Sequence, residues 1–320
     1  MRIIFVGSGE FGLPTLERLH QQHDVVAVVS QPDRPAGRQR QLTPTPIAQW
    51  AAQQSLIVLK ADDVNSKAFI EQIAQLRPDA AVVVAFGQKL APELIAASGK
   101  LVINLHGSLL PKYRGAAPVN WAIINGETWA GVTVIGLAQR MDAGAMYSQA
   151  ELQITPHETA GELHDRLAHL GPDLIGQVLD RFEQGILQPQ PQDDTQATRA
   201  PKLSKAHGTV DLTQPAEQVR NRVHGLTPWP GCRVHWHCQH TGKTQPLTLR
   251  RAEAMPNVPE FVKRDTPPGT VLEGLLVMTG QGVIKLLELQ APGTRPMHAQ
   301  AFANGHHLAP GDRLQAIEMK

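Results

Sequence analysis

Residues 2–12 read Arg2-Ile3-Ile4-Phe5-Val6-Gly7-Ser8-Gly9-Glu10-Phe11-Gly12: an apolar run without alternation, then a glycine-rich turn, then Leu13, Leu16 and Leu19 at helical spacing. A strand apolar at every position is buried on both faces, the environment of a parallel sheet covered by helices. The same pattern repeats outward from this stretch. Val25 to Val29, Leu56 to Leu59, Ala80 to Phe86 and Leu101 to Leu105 are short apolar runs, separated by amphipathic stretches such as Val64, Phe69, Ile73 and Leu76. The expected class is therefore α/β, a mostly parallel sheet with helices on both faces. Further strands are expected over 132–137 and 146–154. A long helical region then runs through Leu163, Leu167, Leu170, Leu174, Val178 and Phe182, with Gly171-Pro172 breaking it.

From Gln188 the composition turns to Gln, Pro, Asp and Thr, which reads as a linker over 188–203 between a first domain, 1–187, and a second, 204–320. At 320 residues, two cores are the default. The second part carries a short helix near 216–223 and short strand-like segments at 233–238, 247–252, 269–273, 275–278 and 283–289, punctuated by Gly and Pro as in a small β-barrel. Aromatics make up only 4% of the chain, so both cores must be built from close-packed aliphatic side chains.

The net charge of +1 hides an asymmetry. Residues 1–200 hold sixteen basic against twenty acidic side chains, and residues 201–320 fourteen against nine. A basic second half suits a polyanion, since neutralising phosphates releases counterions. The two cysteines, Cys232 and Cys238, sit among His235, His237 and His240, but the alternation of Cys232, Val234, Trp236 and Cys238 describes one face of a half-buried strand. The spacing matches no usual zinc pattern, so no metal is expected. Two thiols in a chain this long argue against a disulfide framework. With no apolar run of membrane-spanning length and no signal-like stretch, a cytoplasmic protein without membrane contact is expected.

The chemistry-bearing residues are Asn104 and His106, two apart at the end of Leu101-Val102-Ile103-Asn104-Leu105-His106, and Asp142 in Met141-Asp142-Ala143-Gly144. Residues i and i+2 of a strand project to the same side, so a carboxamide and an imidazole share one face. Such a set suits acyl transfer. The amide steadies a developing oxyanion, the imidazole exchanges a proton near neutrality, and the carboxylate orients it.

A competing motif is Gly7-Ser8-Gly9-Glu10-Phe11-Gly12, which fits the dinucleotide fingerprint between a strand and a helix of a Rossmann-like sheet, with Asp33 near the distance of a ribose-binding acid. An NAD(P)-dependent oxidoreductase is thus the alternative. Against it, Asp33 lies in a long loop and Glu10 would bring negative charge toward a pyrophosphate.

Asn104-x-His106-x-Ser108-Leu109-Leu110-Pro111, followed by Lys112-Tyr113-Arg114-Gly115-Ala116-Ala117-Pro118 and Met141-Asp142-x-Gly144, resembles the folate-dependent formyltransferases. The early Gln31-Pro32-Asp33-Arg34-Pro35-Ala36-Gly37-Arg38, the later Ala200-Pro201-Lys202-Leu203-Ser204-Lys205 and Pro228-Trp229-Pro230-Gly231 are similar to the branch of that family that acts on charged tRNA. The sequence departs from the family at Gly7-Ser8-Gly9, where a Gly-Thr-Pro-like turn is usual, and at Ala145, where an acidic residue often stands. The resemblance implies a catalytic domain followed by an OB-like barrel that binds tRNA, with Asn104, His106 and Asp142 as catalytic residues. It further implies 10-formyltetrahydrofolate as formyl donor, bordered by Ser108, Leu109, Leu110 and Pro111, with backbone groups at 86–90 near its pterin. Methionyl initiator tRNA is the implied acceptor, its stem read by Arg38, and Lys202, Lys205, Arg220 and Arg222 are candidates for the RNA path. A monomer is expected. A small amine or a nucleotide sugar is the alternative acceptor.

Overall fold

A computed structural model describes residues 1–36, 41–260, 262–263 and 265–317. The opening apolar run forms β1 (Arg2–Gly7), whose last five residues are buried. It is flanked by parallel neighbours on both sides, β2 (Asp24–Ser30) and β4 (Ala80–Val84). With β3 (Val58–Lys60), β5 (Leu101–His106), β6 (Trp129–Gly136) and β7 (Met146–Gln153) they make a seven-stranded sheet in the order β7-β6-β5-β4-β1-β2-β3. The β2–β3 and β4–β5 pairs are also parallel, and β6 joins β5 antiparallel. The chain grows to one side of β1 and then restarts with β4 on the other, so the topology switches at the carboxyl ends of β1 and β4, where such sheets bind their ligands.

Helices cover both faces, as continuous apolar strands require. On one side α1 (Leu13–Gln22) packs on α7 (Gly171–Glu183). There a Cβ at Gly171 would stand 2.6 Å from both Leu105 Cδ2 and Thr15 Oγ1, so glycine lets α7 close onto β5. On the other, Phe69 and Ile73 of α3 (Lys67–Gln75) and Leu94 of α4 (Pro92–Ala97) join Ile4, Val6, Val29, Ala81 and Val83 in one core. The expected break at Gly171-Pro172 is present: α6 (Ala160–Ala168) ends before it and Pro172 occupies the first turn of α7.

By packing, one compact unit comprises Met1–Gly115, Ala130–Leu152 and His164–Arg199, and the other Ala116–Trp129, Gln153–Leu163 and Ala200–Lys320. The second unit is a curled antiparallel half-barrel with strands β8 (Cys232–His237), β9 (Thr244–Met255), β10 (Leu276–Met278), β11 (Val283–Gln290), β12 (Met297–His298) and β13 (Arg313–Ala316). Their order is β10-β11-β9-β8-β13, with β12 on β11. Irregular register at Arg251 marks bulges in β9, which bend it and let it pair with β8 along one edge and β11 along the other. As the alternation requires, Cys232, Val234 and Trp236 are buried and Arg233, His235 and His237 are not; both cysteines are free, and burial pushes the Cys232 thiol up to about 12. Helix α8 (Ala216–Gly225) covers this core, and α5 (Pro118–Ile124) packs on α8 where a Cβ at Gly225 would fall 2.4 Å from Ile124. The strand expected at 269–273 is instead two isolated bridges, Thr270 with Arg313 and Val271 with Val277. Pro267 and Pro268 remove ladder donors just before it.

Among the described residues no helix is long and apolar enough to cross a membrane, and no group of three or more His, Cys, Asp or Glu could hold a metal.

Candidate active site

The carboxyl end of β5 carries Asn104 and His106, held in register by Val83 of β4 opposite Asn104 and by Ile135 and Thr133 of β6 opposite Asn104 and His106. Asn104 is half-buried, and among the described residues its carboxamide has no hydrogen-bond partner. His106 is 6% exposed. Its Nε2 lies 2.9 Å from Tyr113 O and its Nδ1 3.6 Å from Asp142 Oδ2, so each ring nitrogen faces an acceptor. The carboxylate approach is longer than a hydrogen bond.

Asp142 reaches this position from a turn between β6 and β7. Its φ is +54°, in the left-handed region, and its Oδ2 accepts from Gly115 N at 2.8 Å. Gly144 in the same turn has no alternative: a Cβ there would stand 1.7 Å from Gly136 O. The fold thus brings His106 and Asp142 together from separated stretches, with Asn104 on the same side of the strand as His106.

Of the Ser108–Pro111 turn, the Ser108 hydroxyl is spent on Lys112 O at 2.6 Å and Leu110 is buried. Leu109 and Pro111 are the partly exposed side chains of the turn. The turn is fastened by Thr133, fully buried, whose hydroxyl donates to Ser108 O at 2.6 Å and accepts from Leu110 N at 3.1 Å and Gln149 Nε2 at 2.9 Å. Nearby, the 86–90 segment follows Ala85 at φ +48°, with Phe86 and Leu90 buried.

The polar stretch read as a linker runs back over this unit. Gln190 exchanges backbone hydrogen bonds with Met146, Thr198 Oγ1 and O accept from Tyr113 N and Arg114 N, and Gln192 binds the Asp142 turn. Arg114 Nη2 pairs with Asp194 at 2.8 Å, as does Arg140 Nη1, and these two guanidiniums, Arg114 first, hold the Asp194 carboxyl below its ordinary range. Neither Thr133 nor Gln192 carries a local sequence signal. Only the β5–β6 register and the return of 188–199 reveal them.

The glycine-rich turn packs closely on the end of its own strand. Gly9 precedes a 3-10 turn, Glu10–Gly12, and a Cβ at Gly7 would lie 2.6 Å from the Phe5 ring and 2.7 Å from Val84 O, so this glycine serves strand packing. Asp33, the candidate ribose acid, is paired with Lys60 Nζ at 2.5 Å. Arg38 lies outside the described residues. The strands on either side of it, Arg34–Ala36 and Gln41–Thr43, pair antiparallel.

Two family models match the chain: one described as formyl transferase matches residues 1–179, and one described as formyl transferase, C-terminal domain, matches 202–307. The methionyl-tRNA formyltransferase of Caldanaerobacter subterraneus is 38% identical, with 98% of this chain and 100% of that protein aligned. The chain belongs to the methionyl-tRNA formyltransferase family. The protein of that name from Geobacter sulfurreducens is 41% identical, over 98% of this chain and 96% of the relative. Among solved structures, the sugar 3N-formyl transferase WlaRD superposes with a TM-score of 0.64 over 92% of this chain and 99% of its own, at 13% identity. HypX from Aquifex aeolicus, solved with tetrahydrofolic acid, gives 0.59 over 97% of this chain and 48% of its own, at 16% identity. At such identities these structures speak for the fold alone. Membership of the family rests on the sequence relatives, and the dinucleotide reading finds no support beside it.

Proposed function

We propose that this chain transfers the formyl group of 10-formyltetrahydrofolate to the α-amino group of methionyl initiator tRNA. The observation that carries the reading is the His106–Asp142 pair at a strand end that also presents an unpartnered carboxamide. Full-length likeness to the tRNA enzymes supports the acceptor.

An α-amino group has a pKa of about 7.7 to 8.0 and is partly neutral at working pH, so attack needs little activation beyond removal of its proton. The amine nitrogen attacks the formyl carbon. The carbonyl electrons move onto oxygen, where the Asn104 amide donates to the oxyanion. Collapse breaks the bond to N10 of the folate, which leaves as the secondary amine. The proton lost by the attacking nitrogen passes by way of His106 to N10, and Asp142 steadies the imidazolium formed between the two transfers. The Ser108–Pro111 turn and the 86–90 backbone hold the donor, and Arg38 contacts the acceptor end of the tRNA.

The test is formyl transfer to charged initiator tRNA, charged elongator tRNA, uncharged initiator tRNA and a nucleotide-linked amine. Formylation confined to the charged initiator is expected. Equal use of a nucleotide-linked amine, or no transfer to the charged initiator, overturns the reading.

A further inference from the structure

We infer that Gln192 is a positioning residue that locks the Asp142 turn with its carboxylate toward His106. This rests on the proton-handling role proposed above for His106 and Asp142. Asp142 adopts φ +54°, a left-handed conformation uncommon for a residue with a β-carbon, although Asp enters it more readily than most. Part of the hold is steric, from Gly144 seated against Gly136 O, and part comes from Gly136 N donating to Ala145 O at 2.9 Å.

A backbone bond from Ala143 N to Arg140 O at 3.3 Å adds to it, and a further part comes from one side chain far along the chain. Gln192 Nε2 donates to Asp142 O at 2.8 Å and to Gly144 O at 2.7 Å, which uses both amide hydrogens on the two ends of the turn. Its Oε1 accepts from Arg114 Nε at 3.1 Å and Nη2 at 2.7 Å. Arg114 is in turn pinned by Asp194, and the next residue, Gly115, donates its amide to the Asp142 carboxylate. The backbone of the turn is therefore tied to Arg114 through Gln192, and its carboxylate to Gly115 directly. A glutamine serving only solubility would spend its amide on water. Here it closes a ring of contacts that fixes the Asp142 backbone and carboxylate together.

Two variants and two readouts test the assignment. Gln192→Leu keeps volume and loses the amide; Gln192→Glu keeps an acceptor for Arg114 but sets a carboxylate oxygen against two carbonyls. In either, the single-turnover rate of formyl transfer should fall about tenfold or more, because small misplacements of reacting groups are costly, while KM for donor and charged tRNA stays within about twofold. Exchange of the Gly115 amide with solvent should accelerate about tenfold in a protein that still melts cooperatively. In an Asp142→Ala background, Gln192→Leu should add less than about twofold to the loss, since it acts through a group already gone. Wild-type protection of Gly115 in both variants, full multiplication of the two losses, or a rise in donor KM without loss of rate would overturn the assignment. Should the wild-type enzyme fail to formylate charged tRNA, the proposed function falls by that result alone, and Gly115 exchange still decides whether Gln192 holds the turn.

Discussion

Replacing Thr133 with valine removes one hydroxyl and keeps the shape of the side chain, yet the structure assigns that hydroxyl three hydrogen bonds at the base of the Ser108–Pro111 turn. Leu110 N is left with a methyl group in place of its acceptor, and Ser108 O loses a donor. Gln149 Nε2 retains Leu110 O at 2.9 Å, so its loss is partial. A buried polar group stripped of its partner costs about 1–3 kcal/mol, so the two stripped groups give about 2–6 kcal/mol, the partly compensated Gln149 adding little. Urea unfolding of Thr133→Val against wild type measures this, with Thr133→Ser as the control that keeps the hydroxyl and loses only a buried methyl, a cost of about 1 kcal/mol. Because the same bonds fasten the turn proposed to border the donor, KM for 10-formyltetrahydrofolate should rise several-fold in the valine variant and remain near wild type in the serine one. A valine variant as stable as wild type, with unchanged donor KM, would refute the role given to this hydroxyl.

His224 supplies an acid-sensitive element in the second unit. Burial, aided by Arg220 and Arg251, lowers its pKa to about 3, and its Nε2 accepts from Ala252 N at 3.1 Å, so it folds neutral. The unfolded chain takes up this proton near pH 6.5, so His224 contributes in full above that pH and its contribution falls toward about pH 3, by about 1.4 kcal/mol per pH unit. His224→Gln should flatten the stability–pH slope between pH 6 and 4 by about one proton; an unchanged slope contradicts the assignment. Asp312, buried, accepts from Trp236 Nε1 and Gln239 N, each at 2.8 Å, and Asp312→Ala should cost about 2–4 kcal/mol by denaturant unfolding. Arg38→Ala should weaken use of charged initiator tRNA about tenfold and leave donor KM intact, as measured by varying each substrate in turn; parallel loss of both would count against a tRNA-reading role.

Much of this was legible in the residues because each signal was local. The apolar runs at 2–6, 80–86 and 101–105 announce strands buried on both faces, and Gly171-Pro172 announces a helix boundary. Asn104 and His106 share a side by the two-residue period alone, and the Cys232 to Cys238 alternation announces a half-buried barrel strand. What stayed hidden depends on contacts between distant parts of the chain. Nothing in 116–129 signals that α5 packs on α8, and the four-residue strand Arg313–Ala316 buries one side chain, too few for a pattern. The polar composition of 188–203 describes solvent exposure correctly for most of its residues, but gives no hint that Gln192 reaches the Asp142 turn or that Thr198 caps the amides of Tyr113 and Arg114. The glycines of 7–12 show the opposite difficulty, since a motif that reads as a nucleotide cradle exists here to let Phe5 and Val84 pack.

In the proposed mechanism Asn104 acts on the oxyanion of formyl transfer while His106 and Asp142 handle its proton. The most direct test is the single-turnover rate of formyl transfer from 10-formyltetrahydrofolate to charged initiator tRNA in Asn104→Ala, at saturating concentrations of both substrates. Loss of an oxyanion donor costs about 2.7–4 kcal/mol, so a fall of roughly a hundredfold or more with donor and tRNA affinities retained is the expected result. A rate within a few-fold of wild type would contradict it.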